Sequence, residues 1–399
     1  MLAPSWLQLL FLIFILGAAF QIPWLVYFAA AVGAVFGAAE WWRRRSLDGV
    51  RYQRKLRYRR GFPGEQLEVV IEVENRKLLP LSWLHTSDVW PSLVSPLGET
   101  LPPDPHQHLG GGLDNVYSLR WFERVRRPVT LLLRERGIYP LGPVELESGD
   151  LFGIYRSTKE LPAPEYLTVF PELLPLNLLQ LKADDPFGER SARRPLFEDP
   201  NRTMGVRRYQ PEDGFRRIHW PATARTGELQ SRVYQPVTAR VMAVCLNVAT
   251  GQQPWLGYSP GLLELMVKAA ATLAYTGVQA GNEVGLYSNG SLAHADQPFR
   301  IPPGRTPAHL AALLQALAGV TPYVGLPFEK FLLRAQAEIP YGASLVILTA
   351  LLPPSLQDVL LRLRLYRPSI RLYLAGAEPP PDLPGIRCLH LPYQETEDG

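Results

Sequence analysis

Two uncharged, apolar runs open the chain, Leu7 to Phe20 and Trp24 to Ala39, separated only by Gln21, Ile22 and Pro23. One membrane pass needs about 20 apolar residues, so a stretch of this length is too long for one helix and suits two short ones. The pattern predicts a transmembrane helical hairpin over residues 1–45, with helices over 5–20 and 23–42 and a turn at Gln21–Pro23. Arg43, Arg44, Arg45, Arg51, Arg54, Lys55, Arg57, Arg59 and Arg60 follow, opposed only by Glu40 and Asp48. That imbalance is a positive-inside signal, and Trp41 and Trp42 stand where an interfacial anchor belongs. Two passes then place both termini and the rest of the chain on the cytoplasmic side of the inner membrane. A cleaved secretory signal ending near Gly17–Ala19 explains less, because it lacks a basic leader and leaves the second run without a role.

Residues 46–175 read as an all-β domain. Glu68 to Glu74 partly alternates, Val129–Leu133 and Tyr166–Phe170 are short apolar runs, and Pro63-Gly64, Gly110-Gly111-Gly112 and Gly142-Pro143 punctuate as turns. The expectation is a β-sandwich-like fold. Residues 176–239 read as a connecting segment, with a charged, proline-rich loop from Asn177 to Pro211.

From 240 to 399 the period changes. Strands are predicted at Val241–Val248, Val284–Tyr287, Ser344–Thr349, Ile370–Leu374 and Ile386–Leu391, and helices at Leu262–Val278, Ala308–Leu317, Phe328–Ala337 and Ser355–Tyr366. This alternation specifies an α/β, Rossmann-like domain with a mostly parallel sheet, whose ligands bind at the carboxyl ends of its strands.

Composition narrows the function classes. Apolar residues make up 47% and charged residues 20% of the 399, so the chain is neither disordered nor collagenous. Cys245 and Cys388 are too few for a disulfide scaffold or a thiolate metal site and read as reduced core residues. A net charge of +4, and a basic stretch at Arg193-Arg194, Arg202 and Arg207-Arg208 without interleaved stacking aromatics, argue against nucleic acid as a partner. His106 and His108 lack a third ligand, His294 and His390 are isolated, and there is neither a P-loop nor a Gly-x-Ser-x-Gly elbow.

One motif stands out, running from Gly205 through Arg207, Arg208, Tyr209, Glu212, Asp213, Arg216, Arg217, Ile218, His219, Trp220 and Arg225 to Leu229. It resembles the signature of the bacterial family known as domain of unknown function 58. The resemblance extends upstream to Arg136-Gly137-Ile138-Tyr139, Gly142-Pro143 and Asp150-Leu151-Phe152-Gly153, in the order and spacing of that family. It departs at Glu212-Asp213, where the family has Gly-Asp, and at Pro221, where a basic residue is usual.

Carboxylates this close to five arginines invite bidentate ion pairs that fix a loop. Three uses are open: a buried inter-domain latch with Ile218 and Trp220 as alternating anchors and Asp213 capping a turn, a docking surface for a partner protein, or a catalytic site of Glu212, Asp213 and His219.

The resemblance also implies a C-terminal von Willebrand A-like domain. Such domains hold magnesium through Asp-x-Ser-x-Ser after the first strand and further oxygen ligands from other loops. At the matching positions this chain has Asn247, Ala249 and Gly251, and the later strand end has Thr349 followed by Ala350. An amide and the Thr250 hydroxyl are too little for a hard dication, so no metal or cofactor is expected. The resulting expectation is a non-enzymatic, membrane-anchored cytoplasmic scaffold. The resemblance adds a MoxR-type AAA+ ATPase as partner in assembling or remodelling client proteins. The alternatives are a membrane-associated hydrolase or transferase using Glu212, Asp213 and His219, and a purely structural cell-envelope component.

Overall fold

The computed structural model describes residues 5–96, 110–150, 155–162, 165–180, 198–210, 213–236, 241–251, 258–292, 298–367 and 369–393. It forms two compact units, Met1–Phe170 and Pro171–Gly399.

The first unit begins with two apolar helices, α1 (Ser5–Ala19) and α2 (Pro23–Ser46). They fold back on each other at Gly17, where a Cβ would lie 3.1 Å from the Val26 side chain. At 15 residues, α1 is about 22 Å long and short for a bilayer core of about 30 Å. Helix α2, at 24 residues, is long and apolar enough to cross and is largely exposed. Its last turn carries Arg43, Arg44 and Arg45, cations that suit the negative end of the helix dipole.

Eleven strands follow among the described residues: β1 (Val50–Leu56), β2 (Arg60–Gly61), β3 (Gln66–Asn75), β4 (Leu81–Pro91), β5 (Val94–Pro96), β6 (Gly110–Leu119), β7 (Arg124–Leu133), β8 (Gly137–Leu141), β9 (Val144–Gly149), β10 (Arg156–Leu161) and β11 (Glu165–Val169). They make two four-stranded antiparallel sheets, ordered β1-β3-β7-β5 and β10-β9-β4-β6, and a small sheet β2-β11-β8. Period-2 burial explains the pairing: Leu67, Val69, Ile71 and Val73 of β3 share one core with Leu84, Trp90, Leu113 and Leu146 of the other sheet. Gly110–Gly112, expected as a turn, instead opens β6, with Gly111 in register with the buried Trp90. Gly137 is constrained, since a Cβ there would lie 2.6 Å from the Tyr139 ring.

Arg54, counted above among the membrane-facing cations, is buried and pairs with Asp88 of the opposite sheet. Lys55, on the other face of β1, donates to Glu72 at 2.8 Å, and Arg126 donates to the same oxygen at 2.7 Å. These bonds hold the Glu72 carboxyl at about 2, below its ordinary value near 4.5. A depressed carboxylate stabilises the fold above its unfolded pKa, and that contribution is lost as pH falls through the folded one. Glu72→Gln is therefore expected to flatten the acid limb of stability between about pH 4.5 and 2, as read by thermal midpoints across that window. An unchanged limb would show that the pair contributes nothing.

The second unit contains β12 (Glu198–Arg208), a 3-10 turn at Phe215–Arg217, α3 (Trp220–Thr226), β13 (Gln230–Pro236), β14 (Val241–Leu246), α4 (Pro260–Gln279), β15 (Glu283–Ser288), β16 (Gly290–Leu292), β17 (Phe299–Gly304), α5 (Pro307–Ala318), β18 (Val320–Val324), α6 (Phe328–Ala335), β19 (Ser344–Thr349), α7 (Pro354–Tyr366), β20 (Ile370–Gly376) and β21 (Arg387–Pro392). The six-stranded sheet is ordered β17-β15-β14-β19-β20-β21, with every neighbouring pair parallel except β15 and β17. Ala243, Cys245, Leu345, Ile347 and Leu372 pack against Phe331 and Leu332 of α6 and Leu360 and Leu363 of α7. Alternation turns Met242, Val244 and Leu246 to the opposite face, where α4 lies against β14 and β15. Helix α4 also has the length and composition of a membrane span, but more than half of it is buried within this unit.

The part of the expected loop that reaches 198–208 is a strand. Gly205, Val206, Arg207 and Arg208 are exposed, so an apolar period that would have announced β12 does not exist. Both cysteines are unpaired; Cys245 is fully buried, which pushes its thiol up to about 12.

Candidate functional site

The motif folds as an elaborated hairpin. Strands β12 and β13 pair antiparallel, Arg207 opposite Ser231 and Arg208 opposite Gln230, and the chain between them carries the 3-10 turn and α3. Asp213 ties the entry to this loop. Its Oδ1 accepts from Arg207 at 2.6 Å, its Oδ2 accepts from the Gln210 amide at 3.0 Å, and its own amide donates to the Gln210 carbonyl at 2.8 Å. Against expectation, Asp213 does not cap the 3-10 turn, whose N-cap is Gly214 without a side-chain bond; its buried carboxylate reaches back to Gln210 and Arg207 instead. Arg208 and Glu228 close the exit with two bonds, Nε to Oε2 at 2.8 Å and Nη2 to Oε1.

His219 is the N-cap of α3: its Nδ1 accepts the Ala222 amide proton at 3.1 Å, and its own amide donates to the Gln230 carbonyl at 2.8 Å. A ring that accepts at Nδ1 carries its proton on Nε2, which leaves no free lone pair for abstracting a proton. Gly227 ends α3 at φ +72°, the left-handed conformation that glycine adopts without penalty.

Ile218 is buried and bridges to Ser231, but Trp220 is 64% exposed, against the expected alternation of anchors. The reason is local. Alternation requires a strand, whereas α3 starts at Trp220 and buries Ala222, about 200° further round the helix. Phe215 is 81% exposed and stacks on Tyr209 with ring centroids 6.3 Å apart. Arg225 is exposed and Arg217 half-buried. Glu212 lies outside the described residues, as do His106, His108, His294 and the side chain of Arg216.

The polar groups therefore fix the loop, and the large aromatic groups face outward.

A second cluster lies at the carboxyl ends of β14, β15 and β19. Strand β14 has neighbours of opposite crossover direction on its two sides, which makes this the switch point of the sheet. Asn247 Nδ2 donates to Thr349 Oγ1 at 3.0 Å, and Asn247 Oδ1 accepts from the Ala249 amide at 3.1 Å and from Asn289 Nδ2 at 2.9 Å. Thr349 Oγ1 donates to the Leu351 carbonyl at 2.7 Å, and Asn289 Oδ1 accepts from the Val248 amide at 3.0 Å. Thr250 Oγ1 is used by the Ser259 amide, and Gly251 supplies no side chain.

These residues do not fit a magnesium ion. Each of the side-chain oxygens named is neutral and already engaged in a hydrogen bond within the protein, whereas the ion requires oxygen ligands free to coordinate, commonly including carboxylates. Among the described residues no three His, Cys, Asp or Glu side chains come together. Asn289, buried at the centre of the cluster, was missed in the sequence, although it directly follows the strand that ends in Ser288. His390 and His309 each bond a backbone carbonyl through Nε2, at 2.8 and 2.7 Å.

The chain is similar to the uncharacterized protein YeaD of Bacillus subtilis (strain 168), 22% identical over 245 residues. That match covers 59% of this chain and 56% of YeaD, so it spans little more than half the relative's length. Among solved structures, the sporulation control protein Spo0M of Bacillus subtilis is 15% identical over 33% of this chain and 54% of its own, with a TM-score of 0.20. The seventh PapD-like domain of human CEP192 is 18% identical over 27% and 80%, with a TM-score of 0.16. Neither score supports a fold assignment. Residues 205–358, from the hairpin through the switch point to α7, match the family described as protein of unknown function DUF58.

Proposed function

We propose that this protein is a non-enzymatic, membrane-anchored scaffold that docks a partner protein through the outward face of the 205–229 hairpin. In this reading α1 and α2 are a two-pass anchor in the cytoplasmic membrane, and Arg43–Arg45 hold the rest of the chain on the cytoplasmic side. The first unit is a β-sandwich, which its two sheets with one core support. The second is a von Willebrand A-like domain that has exchanged its metal for a neutral amide network, a reading supported by the strand order and by Asn247, Asn289 and Thr349.

The observation that carries the docking role is the exposure of Phe215 and Trp220 on a loop whose Asp213 and His219 side chains are hydrogen-bonded within it. Exposed aromatics beside arginine, on a frame rigid before binding, have the composition of a binding hot spot. The family resemblance supplies the partner, a MoxR-type AAA+ ATPase. Catalysis by Asp213 and His219 has less support, because both are committed to holding the loop.

Mild-detergent pull-down from native membranes, comparing wild type with Phe215→Ala/Trp220→Ala, tests this. The wild type should retain an AAA+ ATPase that the double variant loses about tenfold or more, on the scale of about 2 kcal/mol per hot-spot residue. The thermal midpoint should not move, since neither ring is part of the core. If the variant unfolds instead, the motif is a latch. If no ATPase is retained by either protein, the adaptor reading falls and a structural envelope component takes its place.

A further inference from the structure

The first unit ends, on the side where α2 enters it, in two loops that expose large apolar side chains. Leu78, between β3 and β4, is 75% exposed; Trp121 and Phe122, between β6 and β7, are 64% and 63% exposed. The loops form one tip. The Phe122 amide donates to the Lys77 carbonyl at 3.3 Å, and buried Asn75 donates through Nδ2 to the carbonyls of Leu79 and Arg120, both at 2.9 Å.

The tip is fastened to the end of α2. Lys77 Nζ donates to the carbonyls of Arg45 and Asp48, each at 2.8 Å, and to that of Ser46, so one ammonium satisfies oxygens that the helix end leaves unpaired. The Arg76 amide donates to the Gly49 carbonyl at 2.9 Å. Trp41, which lies exposed under the Arg45 guanidinium at 4.8 Å, is on the same end of α2 to which Lys77 fastens the tip.

Phe122 sits at φ +51°, a conformation rare for a bulky residue and natural for glycine or asparagine. A turn that needs a left-handed residue here carries an aromatic one, and its ring is outside the core. Packing within the unit does not account for it.

We infer that Leu78, Trp121 and Phe122 form an interfacial anchor, inserting into the headgroup–acyl boundary of the leaflet from which α2 emerges. This rests on the membrane reading of α1 and α2. The chemistry is that of the boundary: an indole, a phenyl ring and a leucine beside the exposed guanidinium groups of Arg44 and Arg120, which meet anionic lipid while their stems lie along the chains. Helix and tip together fix the tilt of the β unit against the membrane, which one flexible tether would not do.

The full chain, with Cys388→Ser and the buried Cys245 left in place, is reconstituted in nanodiscs of phosphatidylcholine and phosphatidylglycerol. A polarity-sensitive fluorophore is attached at Leu78→Cys, Phe122→Cys, Tyr58→Cys or Tyr27→Cys, and quenching by lipids nitroxide-labelled near the headgroup is measured. Tyr58 is exposed beyond the far end of β1, roughly 20 Å of strand from the α2 junction. Labels at 78 and 122 should be quenched several-fold more than the label at 58, with blue-shifted emission. Quenching at 27 but none at 78 and 122 beyond that at 58 overturns the anchor and leaves the membrane reading standing. No quenching at 27 overturns the membrane reading and the anchor with it.

Discussion

Asp88→Ala is expected to destabilise the N-terminal β unit by about 3–5 kcal/mol, the scale for stranding one member of a buried ion pair. Arg54 and Asp88 are both buried, on strands β1 and β4 of different sheets. Arg54 Nε donates to Asp88 Oδ2 at 2.8 Å, Nη2 donates to Oδ1, and the Tyr52 hydroxyl donates to Oδ2 at 2.6 Å. Burial alone would lower the guanidinium's pKa, but the bond to Asp88 and its charge reverse this, so the pKa is raised. Burial, with Asp88 beside it, raises the Tyr52 phenol too. Arg54 and Tyr52 therefore keep their protons across the neutral range.

Removing the carboxylate leaves a buried cation between sheets, 5.8 Å from the Trp90 ring, that has lost its hydrogen-bonded anion and keeps only the weaker charge interaction with Glu165. Replacing both members, Arg54→Met with Asp88→Leu, should recover most of the loss, because apolar replacements of buried pairs are often neutral or stabilising by about 1–4 kcal/mol. Thermal unfolding of the full chain, read by protease sensitivity of the N-terminal unit, measures both. A double variant no better than the single one would show that the pair specifies the alignment of the sheets and not only their charge balance.

Arg54 also shows where sequence reading reaches its limit. In one dimension it is one of nine cations after an apolar run, and nothing marks it as different from Arg51 or Arg57. Its partner is 34 positions away, and only the pairing of β1 with β3, and of β4 with β6 and β9, turns both side chains inward. Elements with one or both faces buried were legible: β3 from its alternation, and β14, β15, β19, β20, α4 and α7 from runs that bury on the sheet. Elements that bury little were not. Strand β12 carries charge and glycine on a hairpin exposed at Gly205–Arg208, and Trp220 was misplaced because a strand's period was extended into what is a helix start. The motif itself was legible as a density of opposite charge, but which groups hold the loop and which face solvent required the hydrogen bonds.

The switch point makes the second large prediction. Asn247→Asp is close to isosteric, yet it should cost about 3 kcal/mol or more at neutral pH, on the scale of an uncompensated buried charge. One carboxylate oxygen keeps the donors Ala249 N and Asn289 Nδ2, but the other faces Thr349 Oγ1, whose proton is given to the Leu351 carbonyl. The protonated acid can donate where the amide does, so burial raises the folded pKa above the unfolded value of about 3.9. A raised carboxylate pKa leaves stability intact below the unfolded value and removes it as pH rises through the folded one. The gap between variant and wild-type thermal midpoints should therefore close toward pH 4 and widen toward pH 8. A gap independent of pH would mean that the lost amide donor, and not the charge, is the cause. The same melts read the metal question directly. A magnesium site would add about 1.4 kcal/mol at ten times its Kd, or roughly 3–6 °C for a unit of this size. The wild-type midpoint should instead be the same in magnesium and in chelator, because the network that would have to open for the ion is already closed by its own amides.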